Sequence, residues 1–247
     1  MQKQSRLPVL SARLETVARL VKPCARVFDI GTDHAFLPIE LVRRGICRSA
    51  TASDIRPGPI AVAQRNIARA GLADQIETKV TAGLFGHAVG PDDAVVLSGL
   101  GGLEMIDILA VLPGPCSQVI LQPQKSAMEL RLWLDANLYL IDSEALVLDR
   151  DRIYVILRAI PRLAAGNREE GAPAAPLTLT EAVLGPVLLT HRPPLFDAYV
   201  QQVVRHIQVA RRRMPELADV LADIKTWQHP ETLAQCPNSR KEKAHES

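Results

Sequence analysis

The residues best suited to chemistry lie in the segment Val27–His34, where an apolar run and a glycine turn carry two carboxylates, Asp29 and Asp33. Parallel sheets bind ligands beyond the carboxyl ends of their strands, and a glycine such as Gly31 lets the backbone approach the ligand there. The turn lacks the G-x-G-x-x-G spacing that holds a pyrophosphate. The two carboxylates therefore favour a ligand that carries positive charge.

A third carboxylate, Asp54, ends the second apolar run, roughly 20 residues beyond the glycine turn, where an acidic residue commonly accepts hydrogen bonds from ribose hydroxyls. Aspartate is also a common cap at the start of a helix, which is the alternative interpretation of Asp54. Because Asp29 and Gly31 precede it at the expected distance, we favour the ribose interpretation.

A glycine cluster, Ser98-Gly99-Leu100-Gly101-Gly102, follows the fourth apolar run. Glycine permits positive φ angles and close approach of the backbone to a ligand. A glycine cluster can also be a tight turn, here before the helix that we predict over Leu103–Leu112. In the context of Asp29 and Asp54, the cluster predicts a second part of the same site.

The elements that would position these residues alternate between short apolar runs and longer helical patterns. Such alternation predicts a mostly parallel sheet with helices on both faces. The last two runs are separated by only four residues, Asp149–Arg152, which is too short for a parallel crossover and predicts an antiparallel hairpin. The predicted strands are Arg26–Ile30, Ser49–Asp54, Ile76–Val80, Ala94–Ser98, Gln118–Leu121, Leu138–Leu148 and Ile153–Ile160.

The chain is predicted to contain two domains. An amphipathic helix with Leu10, Leu14, Val17 and Val21 on one side precedes the sheet. An Ala-, Gly- and Pro-rich stretch follows the last strand and is typical of a linker. We predict an N-terminal helix and Rossmann-like α/β domain at 1–160, a linker at 161–176, a helical domain at 177–228 and a disordered tail at 229–247.

Composition restricts the class of protein. Hydrophobic residues make up 47% and charged residues 23% of the 247 residues, as in soluble globular proteins. The four cysteines lack the paired spacing of zinc sites, so we expect no metal. Neither a signal peptide nor an apolar run of about 20 residues is present, so we expect a cytoplasmic protein without membrane partners. The oligomeric state is not readable, and we favour a monomer.

The chain resembles the bacterial tRNA (adenine(22)-N(1))-methyltransferase family. The resemblance implies a class I methyltransferase domain followed by a helical, coiled-coil-like domain, with S-adenosylmethionine as cofactor. It also implies methyl transfer to N1 of an adenine in tRNA, adenine 22. The segments that carry it are Leu10–Leu14, Asp29–Pro38, Ser98–Gly102, Leu121–Pro123, Arg131–Leu134, Leu184–Pro186 and Pro194–Tyr199.

The resemblance also implies roles for particular residues. Asp33, His34 and Gly99 would be catalytic, with His34 as a proton acceptor or, equally, as a structural residue at a helix start. Phe36, Gly101 and Gly102 would contact the RNA, although an aromatic residue at helical spacing, such as Phe36, more often belongs to the core. The cofactor would be held by Asp29, Gly31, Asp33, His34, Asp54, Ile55, Ala82, Gly83, Ser98 and Gly99.

Five arginines and a single aspartate lie between residues 190 and 215, and arginines of this kind can bind RNA phosphates. A run of charge is more commonly a solvated helix face. The resemblance favours RNA. The arginines are Arg192, Arg205, Arg211, Arg212 and Arg213.

Three positions depart from the family pattern. Family members usually carry an acidic residue at the position of Ala82, where it contacts the cofactor's adenine, a tyrosine at the position of Phe36, and an asparagine at that of Gln124. These changes leave two alternatives open. The chain could be a non-catalytic or weakly active protein that binds S-adenosylmethionine and RNA, or a methyltransferase for another RNA or a small molecule.

Overall fold

The computed structural model describes residues 9–162, 175–210 and 214–228, and every structural statement below concerns these residues. Seven strands and nine helices occur in this part of the chain. The strands are β1 Cys24–Ile30, β2 Cys47–Asp54, β3 Ile76–Val80, β4 Ala94–Ser98, β5 Gln118–Gln122, β6 Tyr139–Asp149 and β7 Arg152–Pro161. The helices are α1 Ala12–Leu20, α2 Phe36–Arg43, α3 Pro57–Ala70, α4 Gly102–Ala110, α5 Ala127–Ala136, α6 Leu179–Leu184, α7 Pro186–His191, α8 Phe196–Ala210 and α9 Leu217–Gln228.

The strands form one seven-stranded sheet in the order β3-β2-β1-β4-β5-β7-β6. β1 to β5 are mutually parallel, whereas β7 runs antiparallel to both β5 and β6. The predicted Rossmann-like sheet with an antiparallel hairpin is therefore confirmed. The strand order reverses between β1 and β4, and such a reversal leaves a crevice at the carboxyl ends of the strands.

Alternate residues of the central strands face two separate apolar cores. Val96 and Ile120 belong to the core formed with α1, α2 and α3. Their neighbours Val95 and Leu121 belong to the core formed with α4 and α5. All four side chains are fully buried, which explains why β4 and β5 are continuous apolar runs in the sequence.

The predicted N-terminal amphipathic helix is α1. It begins after Ser11, whose side chain accepts a hydrogen bond from the backbone N–H of Leu14, as an N-cap residue does. Its buried residues Val17, Ala18 and Leu20 join the first of the two cores. The helix contacts β5, β6 and β7, so it packs on strands that come much later in the chain.

The chain divides into two compact units between Gln201 and Gln202. This division differs from the predicted domain boundaries, because α6 and α7 belong to the same unit as the sheet. Most of the predicted linker, residues 163–174, and the predicted tail, residues 229–247, lie outside the described residues. In the second unit, Leu217, Val220 and Ile224 form the buried stripe of α9. No helix in the described ranges is long and apolar enough to cross a membrane.

A buried ion pair attaches α6 and α7 to the sheet domain. Arg131 on α5 donates from Nε to Oε1 of Glu144 on β6, at 2.9 Å, and both side chains are fully buried. The Nη1 group of Arg131 donates to the carbonyls of Ala182 and Val183, at 3.0 and 3.1 Å. Oε2 of Glu144 accepts from the backbone N–H of Val187 at 3.0 Å. These hydrogen bonds offset the cost of removing two charges from water.

Gly185, between α6 and α7, leaves space for this ion pair. Its φ is +99°, and a Cβ atom there would lie 2.5 Å from Oε2 of Glu144 and 2.9 Å from Nη2 of Arg131. Neither side chain can move into solvent, because both are buried. Any larger residue must therefore displace the pair or the turn.

We expect Gly185→Ala to lower the free energy of unfolding by about 3 kcal/mol, because the methyl group would disrupt a buried ion pair. Gly71→Ala is the matched control, since Gly71 has a φ of +70° with nothing within 4 Å of its Cβ position. That variant should lose about 1 kcal/mol from backbone strain alone. Urea unfolding followed by circular dichroism measures both, and equal losses would show that the ion pair tolerates the methyl group.

Candidate active site

A cleft of about 790 Å³ lies at the carboxyl ends of β1, β2 and β3 and beside α4. Cofactor and substrate sites commonly have this size and mixed lining. The cleft brings together five residues predicted to bind the cofactor, although they lie far apart in the sequence. These are Gly31, Asp54, Ile55, Ala82 and Gly83.

The turn after β1 is fixed against β2. The backbone N–H groups of Gly31 and Thr32 both donate to the carbonyl of Ser53, at 2.8 and 2.9 Å. Gly31 has a φ of +80°, which L residues rarely adopt. The turn therefore needs glycine for its backbone conformation, and it places Gly31 near Asp54 at the same edge of the sheet.

Asp29 lies one residue before the end of β1 and is almost completely buried. Burial raises the pKa of its carboxyl group to about 6, because the charged form loses its hydration, while a hydrogen bond with the Thr32 side chain acts in the opposite direction. Asp29 is not among the residues that line the cleft. A cation bound near Asp29 would stabilise its ionised form.

Asp54 ends β2 and lines the cleft, with 7% of its surface exposed. Its Oδ1 atom accepts from the backbone N–H of Arg56 at 2.8 Å and from Nε of Arg56 at 3.2 Å. Arg56, rather than Asp54, is the N-cap residue of α3. Asp54 thus shapes the turn into α3, but it is not the helix cap of the alternative interpretation.

Asp33, His34 and Phe36 form a cluster at the start of α2. Nδ1 of His34 lies 2.7 Å from Oδ2 of Asp33, and both side chains are substantially exposed. The ring of His34 stacks on that of Phe36 with 5.2 Å between the centroids. The side-chain amide of Asn66 donates to the backbone carbonyl of His34 at 2.9 Å. The imidazole is thereby held by an acidic and an aromatic neighbour.

The glycine cluster forms the loop from β4 to α4 and packs against the loop after β5. The N–H groups of Gly99 and Gly102 donate to the carbonyls of Gln122 and Lys125, at 3.1 and 2.9 Å. A Cβ atom on Gly102 would lie only 2.2 Å from the carbonyl oxygen of Ser126. Packing of two loops therefore explains the glycine at Gly102. At Gly101 the Cβ position is 3.3 Å from the flexible side chain of Lys125.

Arg13 is a residue of this region that sequence reasoning did not select. From α1, its Nη1 group donates to Oε1 of Gln122 at 2.6 Å, and Ser98 donates to the same oxygen from its hydroxyl at 3.3 Å. Nη1 also lies 3.4 Å from the Cβ position of Gly99. Only the motif Leu10–Leu14 pointed to Arg13, through the family resemblance.

The cleft also contains residues that were not predicted. One face of α4 lines it, and sequence periodicity predicts this helix without indicating which face meets a ligand. The loop after β3 contributes an exposed aromatic ring and a buried histidine. The unpredicted residues include Phe85, His87, Leu100, Glu104, Asp107 and Ile108.

The arginines predicted to bind RNA are only partly described. Arg192 follows α7, and its guanidinium lies 5.9 Å from the ring centroid of Phe196. Arg205 is exposed on α8. Arg211, Arg212 and Arg213 lie outside the described residues.

Comparison with known proteins agrees with this geometry. Residues 10–157 match a family model described as a methyltransferase domain. Protein Sp1610 of Streptococcus pneumoniae, in complex with S-adenosyl-L-methionine, superposes with a TM-score of 0.75 at 29% identity, covering 88% of this chain and 98% of that one. TrmK of M. capricolum, in complex with S-adenosyl-homocysteine, superposes with a TM-score of 0.71 at 26% identity, covering 87% and 95%.

The tRNA (adenine(22)-N(1))-methyltransferase of Bacillus subtilis strain 168 is 30% identical over 214 residues, which cover 85% of this chain and 87% of the relative. The matched stretch is longer than the sheet and its helices, which end with β7 at Pro161, so the match is not restricted to the common methyltransferase core. This chain therefore belongs to the tRNA (adenine(22)-N(1))-methyltransferase family.

Proposed function

We propose that this chain transfers the methyl group of S-adenosylmethionine to N1 of adenine 22 in tRNA. The cleft at the sheet's switch point is the observation that carries the proposal, because it joins Gly31, Asp54 and Ile55 in one cavity. Relatives with this activity or with this cofactor in their structures share the fold.

The chain's residues fit S-adenosylmethionine. Asp29 offers a buried carboxylate whose charge has little solvation, which suits the cofactor's amino group. We assign Asp54 to accept from the ribose hydroxyls and the exposed side chain of Ile55 to contact the adenine, because both residues line the cleft. We assign cofactor-contacting backbone to Gly31, Ala82, Gly83, Ser98 and Gly99. When bound, the cofactor supplies a methyl group on a positively charged sulfur.

Adenine N1 has a free lone pair, so the protein's main task is to orient this nitrogen rather than to activate a nucleophile. We assign that task to the Gly99 loop and to Phe36, whose ring could stack on the base. Methylation at N1 leaves a positive charge on the adenine. Asp33 would offset this charge, and the imidazole of His34 could accept a proton from the exocyclic amino group.

For the RNA, we propose that Gly101 and the arginines of the C-terminal region contact phosphates. We do not include Gly102, because this residue is buried and its N–H donates to the carbonyl of Lys125. Arg205 is exposed on α8, as a phosphate contact requires. We also propose that the enzyme works as a monomer in the cytoplasm, where tRNA is modified. The other arginines assigned to this surface are Arg192, Arg211, Arg212 and Arg213.

The proposal is tested by incubating the purified protein with S-adenosylmethionine and two transcripts of one tRNA, with adenine or guanine at position 22. Mass spectrometry of the digested RNA should find 1-methyladenosine in the first transcript alone. Modification of another nucleoside would refute the substrate. Binding of S-adenosylmethionine and tRNA without methylation of either transcript would support the non-catalytic alternative instead.

Cofactor affinity should depend on pH through Asp29. Its pKa in the free protein is raised to about 6, so below this pH the carboxyl group must lose a proton before it can pair with the cofactor's amino group. S-adenosylhomocysteine should therefore bind about tenfold more weakly near pH 5 than near pH 7.5. Calorimetry at the two pH values measures this. Asp29→Asn should bind weakly at both, and an unchanged wild-type affinity would contradict the pairing.

Affinity for tRNA should fall steeply with salt if arginines replace counterions at phosphates. Replacing Arg211, Arg212 and Arg213 together by glutamine should reduce the slope of log affinity against log salt by about 2–3. Fluorescence anisotropy with labelled tRNA measures the slope. The matched control replaces Arg43, Arg65 and Arg69, which lie on α2 and α3. Equal effects of the two triple variants would indicate only a general loss of charge.

A further inference from the structure

Three large apolar side chains are exposed in the cleft. Ile55, Phe85 and Val111 have exposed fractions of 67%, 80% and 65%, and all three line this cavity. Scattered apolar side chains are normal on a protein surface, but several around one cleft indicate the site of an apolar ligand group. A flat ring fits such surroundings better than the polar ribose or the amino acid part of the cofactor.

One wall of this apolar end is the loop after β3, which is held by its own hydrogen bonds. The Thr81 hydroxyl donates to the carbonyl of Phe85 at 3.0 Å, and the Phe85 N–H donates to the carbonyl of Ala82 at 3.1 Å. The ammonium group of Lys79 donates a hydrogen bond to the carbonyl of Gly86. The loop Thr81–His87 contains no carboxylate, so its side chains cannot offer an anionic acceptor to an amino group.

The same wall contains a polar side chain without a partner. His87 is 9% exposed and lines the cleft, and its Nε2 atom has no hydrogen-bond partner among the described residues. Its ring packs edge-on against Phe28, with 5.4 Å between centroids. Buried polar atoms are normally hydrogen-bonded, so this exception is further indication that the wall is built to meet a ligand or water.

The opposite wall is α4. Glu104, Asp107, Ile108 and Val111 line the cleft from one helical face. The Cβ position of Gly83 is 3.2 Å from Cγ1 of Ile108, so the two walls meet one residue from Asp107. Asp107 is thus the carboxylate beside the apolar end. Glu104 lies three residues, about 4.5 Å along the helix axis, nearer the glycine loop.

We propose that Asp107 accepts a hydrogen bond from the 6-amino group of the cofactor's adenine, whose ring lies between Phe85 and the wall formed by Ile108 of α4 and its C-cap residue Val111. This assignment rests on the proposed function and adds a specificity-determining residue to it. The carboxylate that family members usually carry in the loop is Ala82 here, so recognition of the amino group moves across the cleft to the helix.

The test compares binding of S-adenosylhomocysteine with that of its deamino analogue, in which hydrogen replaces the 6-amino group. Calorimetry on the full-length wild-type protein should show about tenfold preference for the amino form, the usual effect of one charge-assisted hydrogen bond. Asp107→Ala should abolish this preference by weakening the amino form alone. Glu104→Ala is the matched control and should retain the preference. Asp107→Ala combined with Ala82→Asp should restore it, because a carboxylate returns to the opposite wall.

The assignment to Asp107 is overturned if Asp107→Ala retains the preference, or if Glu104→Ala removes it. Asp107 is exposed on its helix, and thermal melting of each variant separates a loss of folding from a loss of recognition. The wild-type protein distinguishes the two proposals. If it methylates tRNA but shows no preference for the amino form, only the role of Asp107 fails. If it binds neither S-adenosylhomocysteine nor the deamino analogue, the proposed function itself is refuted.

Discussion

The buried pair of Arg131 and Glu144 is the interaction that determines how far the catalytic unit extends along the chain. It connects α5 and β6 of the sheet domain to backbone groups of α6 and α7. Burying an isolated charge in this position would be very costly, and each partner offsets the cost of removing the other from water. Gly185 is part of the same constraint, because only the absence of a side chain leaves room for the carboxylate. The two short helices are consequently part of the sheet domain rather than an appendage.

The fold was largely predictable from the sequence. Continuous apolar runs such as Ala94–Leu97 occur because both faces of a central strand are covered, and the short spacing at Asp149–Arg152 permits only a hairpin. The boundary after residue 160 was not predictable in the same way. The composition of the stretch that follows resembles a linker, and nothing in it reveals that a buried arginine far upstream binds the helices beyond it.

The site was predictable in part, and its glycines show why. Gly31 and Gly102 look alike in the sequence, yet the first is required by a positive φ and the second by a carbonyl oxygen 2.2 Å from its Cβ position. Distinguishing these two reasons for a glycine requires knowing where a second segment of the chain packs. The face of α4 was missed for a similar reason, because periodicity predicts a helix but does not show where its Glu104 and Asp107 point. Arg13 reaches the site from an element that periodicity describes only as amphipathic.

The contact from Arg13 to Gln122 spans 109 residues, and that from Arg158 to the carbonyl of Leu20 spans 138. Chains are synthesised from the N-terminus and begin to fold during synthesis. Helix α1 therefore leaves the ribosome long before β5, β6 and β7 exist to receive it. The apolar face of α1 can pack fully only after the β6–β7 hairpin has been synthesised. The contact from Arg13 to Gln122, beside the loop at Gly99, therefore forms near the end of translation of the sheet domain. The order in which the chain is made thus separates formation of the turn at Gly31, whose backbone hydrogen bonds need only β1 and β2, from completion of the loop at Gly99.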